Sequence, residues 1–168
     1  EIVRKLAKEC DIVIVSFHGG AEGSKYQHVT RKTETFLGEN RGNVYDFAHK
    51  MIDAGADVIL GHGPHVTRAI EVYKDRFITY SMGNFCTYDR VNIRGVNGLA
   101  PIFKIYTNKQ GKFLKAELVS TYQEKYKPVR IDAQKQVLKV VQNLTKTDFP
   151  EMDKVITIGN DGIILPKK

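Results

Sequence analysis

Apolar positions along the chain change their period several times, and each change predicts an element. Ile2, Val3 and Leu6 recur at helical spacing through residues 1–9. The β-branched run Asp11-Ile-Val-Ile-Val-Ser-Phe17 follows and predicts a strand buried on both faces. Between residues 42 and 54, Val44, Phe47, Ala48, Met51 and Ile52 share one face of a helix that Gly55 ends. Asp57-Val-Ile-Leu60 reads as a second short buried strand. Strand, helix and strand in that order predict a βαβ unit with parallel strands.

Beyond residue 66 the texture changes to strands at residues 69–73, 77–81, 100–107 and 113–122. Lys74-Asp75 separates the first two, and a Gly-containing turn at 108–112 separates the last two. Asp132 then caps a helix to about residue 144, with Val137, Leu138, Val141 and Leu144 on one face. Asn160-Asp-Gly162 turns into a last short strand at 163–165. Residues 20–43 carry no clear element, and loops of that length are usually functional. The fold class is therefore α/β, a mixed sheet with a βαβ start and antiparallel strands after it, in a single domain over residues 1–168.

Composition narrows this picture. At 168 residues, 42% hydrophobic and 27% charged, the chain is globular in type. It holds no apolar stretch of the ~18 residues a membrane span needs. Cys10 and Cys86 lie far apart with no zinc-finger spacing, and are expected to be small, buried or half-buried side chains. The net charge of +7 is local: residues 104–139 carry 9 Lys and Arg against 3 Asp and Glu, whereas residues 1–103 carry 13 against 12. That disfavours a uniformly basic nucleic-acid binder and leaves one basic segment, read as a lysine-protected sheet edge or as a patch for a polyanion.

Three of the five histidines follow directly on the predicted βαβ strands. His18 stands in His18-Gly-Gly20, and His62 and His65 stand in Gly61-His-Gly-Pro-His65. Sites in open parallel sheets form at the carboxyl ends of strands, so these loops deliver three imidazoles to one rim. Imidazole ligates zinc, iron, manganese or copper and serves as general acid or base. Glu22 and Asn84 add a carboxylate and an amide. His28 and His49 are expected to be solvated. No nucleophile elbow surrounds Ser81, and no P-loop follows the glycines.

The series His18-Gly-Gly-Ala-Glu22, Asn40-Arg-Gly42, Ile52-Asp-Ala-Gly-Ala-Asp57, Gly61-His-Gly-Pro-His-Val66, Glu71-Val-Tyr73 and Tyr80-Ser-Met-Gly-Asn-Phe85 resembles the CapA family. These are capsule and poly-γ-glutamate synthesis proteins whose domain is similar to calcineurin-like metallophosphoesterases. The resemblance covers roughly residues 1–125 and implies a four-layer αββα sandwich with two divalent metal ions at the strand ends. His18 is similar to the lone histidine ligand of those enzymes, and His62 and His65 resemble their Gly-His-x-His pair. Here two residues, Gly63 and Pro64, separate the pair instead of one. The motifs supplying the family's other ligands would precede residue 1. The chain is thus expected to be the C-terminal portion of a CapA-like domain, inactive alone, and prone to self-association or to pairing with the missing N-terminal half.

Two functions follow from the resemblance. One is a metal-dependent, phosphoesterase-like hydrolase acting on an anionic polymer or phosphoester, with His18, His62 and His65 as catalytic metal ligands. Glu22, Arg41 and Asn84 would then bind substrate. The other is a non-catalytic envelope factor that holds or helps export an anionic polymer. Both imply the cell envelope or the extracellular space, and neither takes nucleic acid as partner.

Overall fold

The computed structural model describes residues 1–167. Helix α1 (Ile2–Glu9) leads to strand β1 (Ile14–His18). Strands β2 (Glu34–Phe36) and β3 (Glu39–Gly42) follow, then helix α2 (Val44–Asp53) and strand β4 (Val58–His62). A hairpin joins β5 (Ile70–Tyr73) to β6 (Arg76–Thr79), and a longer one joins β7 (Leu99–Thr107) to β8 (Phe113–Tyr122). Short β9 (Arg130–Ile131), helix α3 (Gln136–Asp148), β10 (Ile156–Ile158) and β11 (Ile163–Pro166) complete the chain.

The predicted βαβ unit is present, with β1 and β4 as direct parallel neighbours. Asp57 helps to set their register. Its carboxylate accepts the Val13 N–H at 2.8 Å, and its own N–H donates to the Val13 carbonyl at 2.8 Å. The mixed sheet runs β1-β4-β6-β5, with β6 parallel to β4 and β5 antiparallel to β6. A second, antiparallel sheet runs β10-β11-β8-β7, with β9 also on β8. Lys74 and Asp75, both at positive φ, make the tight β5–β6 turn.

One core serves both sheets. Phe77 of β6 stacks on Phe113 of β8 at 5.1 Å and meets Phe103 of β7 edge-on. Helix α3 adds the four apolar residues its periodicity marks, Val137, Leu138, Val141 and Leu144, all buried. Its Thr145 hydroxyl accepts the Ile70 N–H of edge strand β5. Helix α2 buries Val44, Ala48 and Ile52.

Several expectations need correction. The first strand is not buried on both faces: β1 lies at the sheet edge, and Ile14 is 59% exposed. An apolar β-branched run marks a strand but cannot say whether anything packs on its second face, here the exposed face of Ile14, Ser16 and His18. Cys10 and Cys86 are both exposed. His49 is not solvated. It lies on the inner side of α2, with its Nε2 2.9 Å from a buried Glu71 oxygen and its ring stacked on Tyr73 at 3.7 Å. His28 is exposed but tied to Asp148 at 2.7 Å. Residues 20–43 contain the β2–β3 hairpin, too short and polar for any period to reveal. Asp132 does accept the Gln136 N–H, although α3 begins only at that residue.

Candidate functional site

The carboxyl ends of β1 and β4 place His18 and His62 in register as paired residues of adjacent parallel strands. Neighbouring side chains on one face of a sheet touch, and the two rings interact electrostatically. Burial lowers the His62 pKa below the ordinary histidine value, and the nearby His18 lowers it further. His62 is therefore a neutral imidazole near pH 7, with a lone pair to offer.

Close backbone packing holds this rim together. A side chain at Gly61 would meet the Tyr80 carbonyl oxygen at 2.4 Å, and one at Gly63 would meet Gly19 backbone and the His18 ring at about 3 Å. The Gly19 N–H donates to the His62 carbonyl at 2.9 Å, which joins the two histidine loops directly.

His65 has a left-handed backbone, φ +59°, a conformation uncommon for a residue with a side chain. Asn84 holds it there. The Asn84 Nδ2 donates to the carbonyls of His65 and Asn97, each at 3.0 Å, which leaves Oδ1 as an acceptor 2.7 Å from His65 Nδ1. This network assigns the ring proton to Nδ1 and leaves Nε2 as the basic nitrogen of the neutral ring. That nitrogen lies 3.9 Å from Glu22 Oε2. Fixing one imidazole nitrogen so that the other is presented is the usual support for a ligating or proton-transferring histidine. Asn84 is only 6% exposed, so its amide secures the His65 loop and does not face an open cleft.

Arg41 is placed by the β2–β3 hairpin. Its guanidinium pairs with Glu22 and Glu39, each at 3.1 Å, and lies over the Phe36 ring at 5.7 Å. A cleft of about 510 Å³ opens beside it, with His18, Asn40, Asn43 and Lys50 in its walls. The structure thus brings His18 beside His62, and Glu22 between His65 and Arg41. Among the described residues, no three His, Cys, Asp or Glu side chains converge as a set able to hold a metal ion. The donors have the right chemistry for a transition metal, but the set is open.

Two supporting groups escape sequence reasoning. Arg68 is fully buried and grips both Glu34 oxygens, at 2.9 and 2.8 Å, while also donating to the Ala21 carbonyl at 3.1 Å. Glu34 in turn accepts the Ala21 N–H at 2.7 Å, so this pair shapes the loop after His18. A lone arginine inside the apolar run 66–70 is the signal that could have exposed it. The second is the trio of half-buried His49 with buried Glu71 and Tyr80, in which the Tyr80 hydroxyl donates to Glu71 at 2.6 Å. Burial and the Glu71 charge push the Tyr80 pKa well above its ordinary value, so it stays a donor.

Part of the basic segment is paired locally. Lys115 and Lys104 flank Glu117 and the Tyr106 ring, and Lys112 pairs with Asp75. Lysines on the edge strand β7 and its turn fit the sheet-edge reading for this part. No helix of the described residues is long and apolar enough to cross a membrane.

Sequence comparisons bear on the same loops. A profile of the family described as bacterial capsule synthesis protein PGA_cap matches residues 1–89, which include all three rim histidines and Glu22. The PGA biosynthesis protein CapA of Bacillus subtilis is 32% identical over 145 residues, 86% of this chain and 34% of that protein. The capsule biosynthesis protein CapA of Bacillus anthracis is 40% identical over 75 residues, 45% of this chain and 15% of its own length. A probable polyglutamine synthesis accessory protein of Mycobacterium tuberculosis is 39% identical over 74 residues, 44% of this chain and 16% of that one. The chain therefore spans about a third of the Bacillus subtilis relative and less of the others. With the profile covering more than half of its residues and one relative aligned along most of its length, this chain belongs to the bacterial capsule synthesis protein PGA_cap family.

Proposed function

We propose that this chain is the part of a capsule or poly-γ-glutamate biosynthesis protein that carries the imidazole side of a metal-dependent, phosphoesterase-like hydrolase site. The observation that carries the reading is the rim itself: His18 and His62 in register, and His65 locked by Asn84 with Nε2 free. His18, His62 and His65 would hold metal, and the remaining ligands of a two-metal centre would come from elsewhere in a longer protein. The αββα sandwich is the fold such a whole domain would have. When bound, the metal supplies Lewis acidity and an activated water. Glu22 lies 3.9 Å from His65 Nε2 and pairs with Arg41, which would meet an incoming phosphate or carboxylate by exchanging Glu22 or Glu39 for it. The substrate is an anionic polymer or phosphoester, and the setting is the cell envelope. The open edge of β1, with Ile14 exposed beside it, is the surface for pairing with more of the protein or with a second copy.

The open ligand set favours a second reading, a non-catalytic envelope factor that holds or helps export the polymer. Hydrolysis assays on full-length protein separate the two. After reconstitution with zinc, manganese or iron, the first reading expects turnover of a model phosphodiester or the polymer, abolished by His65→Ala. No turnover with any metal, while polymer binding persists, would favour the second.

A further inference from the structure

A second cavity is larger than the cleft beside His18. It measures about 840 Å³ and lies between the loop carrying Asp89, Arg90 and Arg94 and the segment carrying Glu124, Lys125 and Lys127. Lys125 pairs with Asp89 at 2.9 Å, and Lys127 pairs with Glu124 at 3.1 Å. Arg90 and Arg94 make no ion pair among the described residues, so the cavity keeps an excess of two positive charges on its arginine wall.

This wall is tied to the histidine rim. The Asn92 carbonyl, on the same loop, receives a long 3.5 Å hydrogen bond from Asn84 Nδ2. Gln123, another lining residue, donates to the Asn84 carbonyl at 2.8 Å and accepts the Thr87 N–H at 2.8 Å. Asn97 donates to the His65 carbonyl at 3.2 Å and anchors its N–H on the Arg94 carbonyl at 3.3 Å. One asparagine network therefore supports both His65 and the cavity. Lys127 also lines a separate depression of about 400 Å³, together with Tyr88 and Pro128.

We infer that this cavity is a binding subsite for a segment of a polycarboxylate chain, with Arg90 and Arg94 as the groups that grip its carboxylates. The inference rests on the proposed function for the polymer's identity, and adds where the polymer is held. Guanidinium forks match carboxylates in a bidentate way, and arginines free of protein partners keep that capacity. Arg90 and Arg94 stand on one lining segment, and the paired Lys125 and Lys127 stand on the other. The second depression that shares Lys127 also gives room for an extended chain. Both features suit a run of repeating charges better than one compact anion. Lys104 and Lys115 at the sheet edge share Glu117, and Lys112 pairs with Asp75, so these lysines are less free to take a carboxylate than Arg90 and Arg94.

Fluorescence anisotropy of a labelled γ-linked glutamate decamer on full-length protein tests this. The Arg90→Gln/Arg94→Gln double variant should weaken binding at least tenfold, with an unchanged melting temperature. Lys104→Gln/Lys112→Gln, which removes the same charge from the sheet edge, should change affinity less than twofold. An equal loss in both double variants would mean diffuse attraction and would overturn the subsite, as would wild-type affinity in the arginine variant. Inorganic phosphate or a phosphodiester that binds through the two arginines while the decamer does not would also overturn it, in favour of a phosphate site. Metal content measured on the same samples keeps the outcomes apart. A metal-free protein that still loses decamer affinity in the arginine variant contradicts the hydrolase reading but not this subsite.

Discussion

Replacing Glu34 by Ala should destabilise the protein more than almost any other single change near the rim. Arg68 has no exposure to solvent, and Glu34 is 7% exposed. Glu34 accepts two guanidinium hydrogen bonds and the Ala21 N–H, all between 2.7 and 2.9 Å. Its removal leaves a buried cation with one carbonyl partner and an orphaned amide. Breaking a buried pair in this way costs about 3–5 kcal/mol, a large part of the roughly 5–15 kcal/mol that holds a domain folded. Urea denaturation followed by circular dichroism reads the loss as a lower midpoint at unchanged slope. Arg68→Met in the Glu34→Ala background should recover most of it, because the uncompensated charge is gone. A Glu34→Ala penalty of about 1 kcal/mol or less, within the range of exposed ion pairs, would refute the claim that this pair holds the loop after His18.

Other consequences are equally open to measurement. Gly61→Ala places a methyl group 2.4 Å from the Tyr80 carbonyl oxygen and should cost about 3 kcal/mol, the upper end for overpacking, in the same urea assay. Tyr80→Phe removes a buried donor from Glu71 and should cost about 1.5–3 kcal/mol; a neutral result would mean that Glu71 finds another partner. His62 has a folded pKa below its unfolded one, so the unfolded chain binds more protons in that window. Metal-free protein should therefore lose stability as pH falls below about 6.5. His18→Gln should raise the His62 pKa in an NMR titration, since one of the two causes of its depression is removed. Asn84→Ala should release the His65 ring, seen as a changed Nδ1 shift, and cost about 1–3 kcal/mol for the Asn97 carbonyl left unpaired.

Sequence pattern foretells the elements whose residues face one core. The α3 stripe Val137, Leu138, Val141 and Leu144 is buried as its spacing requires. The strand-helix-strand order yields the parallel β1–β4 pair that brings His18 beside His62. Pattern fails where partners lie far apart in sequence. Glu34 meets Arg68 across 34 residues, and His49 meets Glu71 across 22, so neither polarity alone predicts a buried pair. The exposed face of β1 is hidden for the same reason, since an apolar run cannot say what packs on each of its faces. Asn84 shows both sides: its place after a strand marks it for the site, but only geometry shows its amide spent on backbone carbonyls and the His65 ring.

The central claim is that the rim histidines ligate metal, and metal content tests it most directly. Full-length protein, reconstituted with manganese, zinc or iron and freed of loosely bound ions, should retain two metal ions per chain by elemental analysis. His18→Ala, His62→Ala and His65→Ala should each reduce that number while leaving the fold intact. Protein that retains no metal under all three conditions, or histidine variants that retain as much as the wild type, would contradict the account.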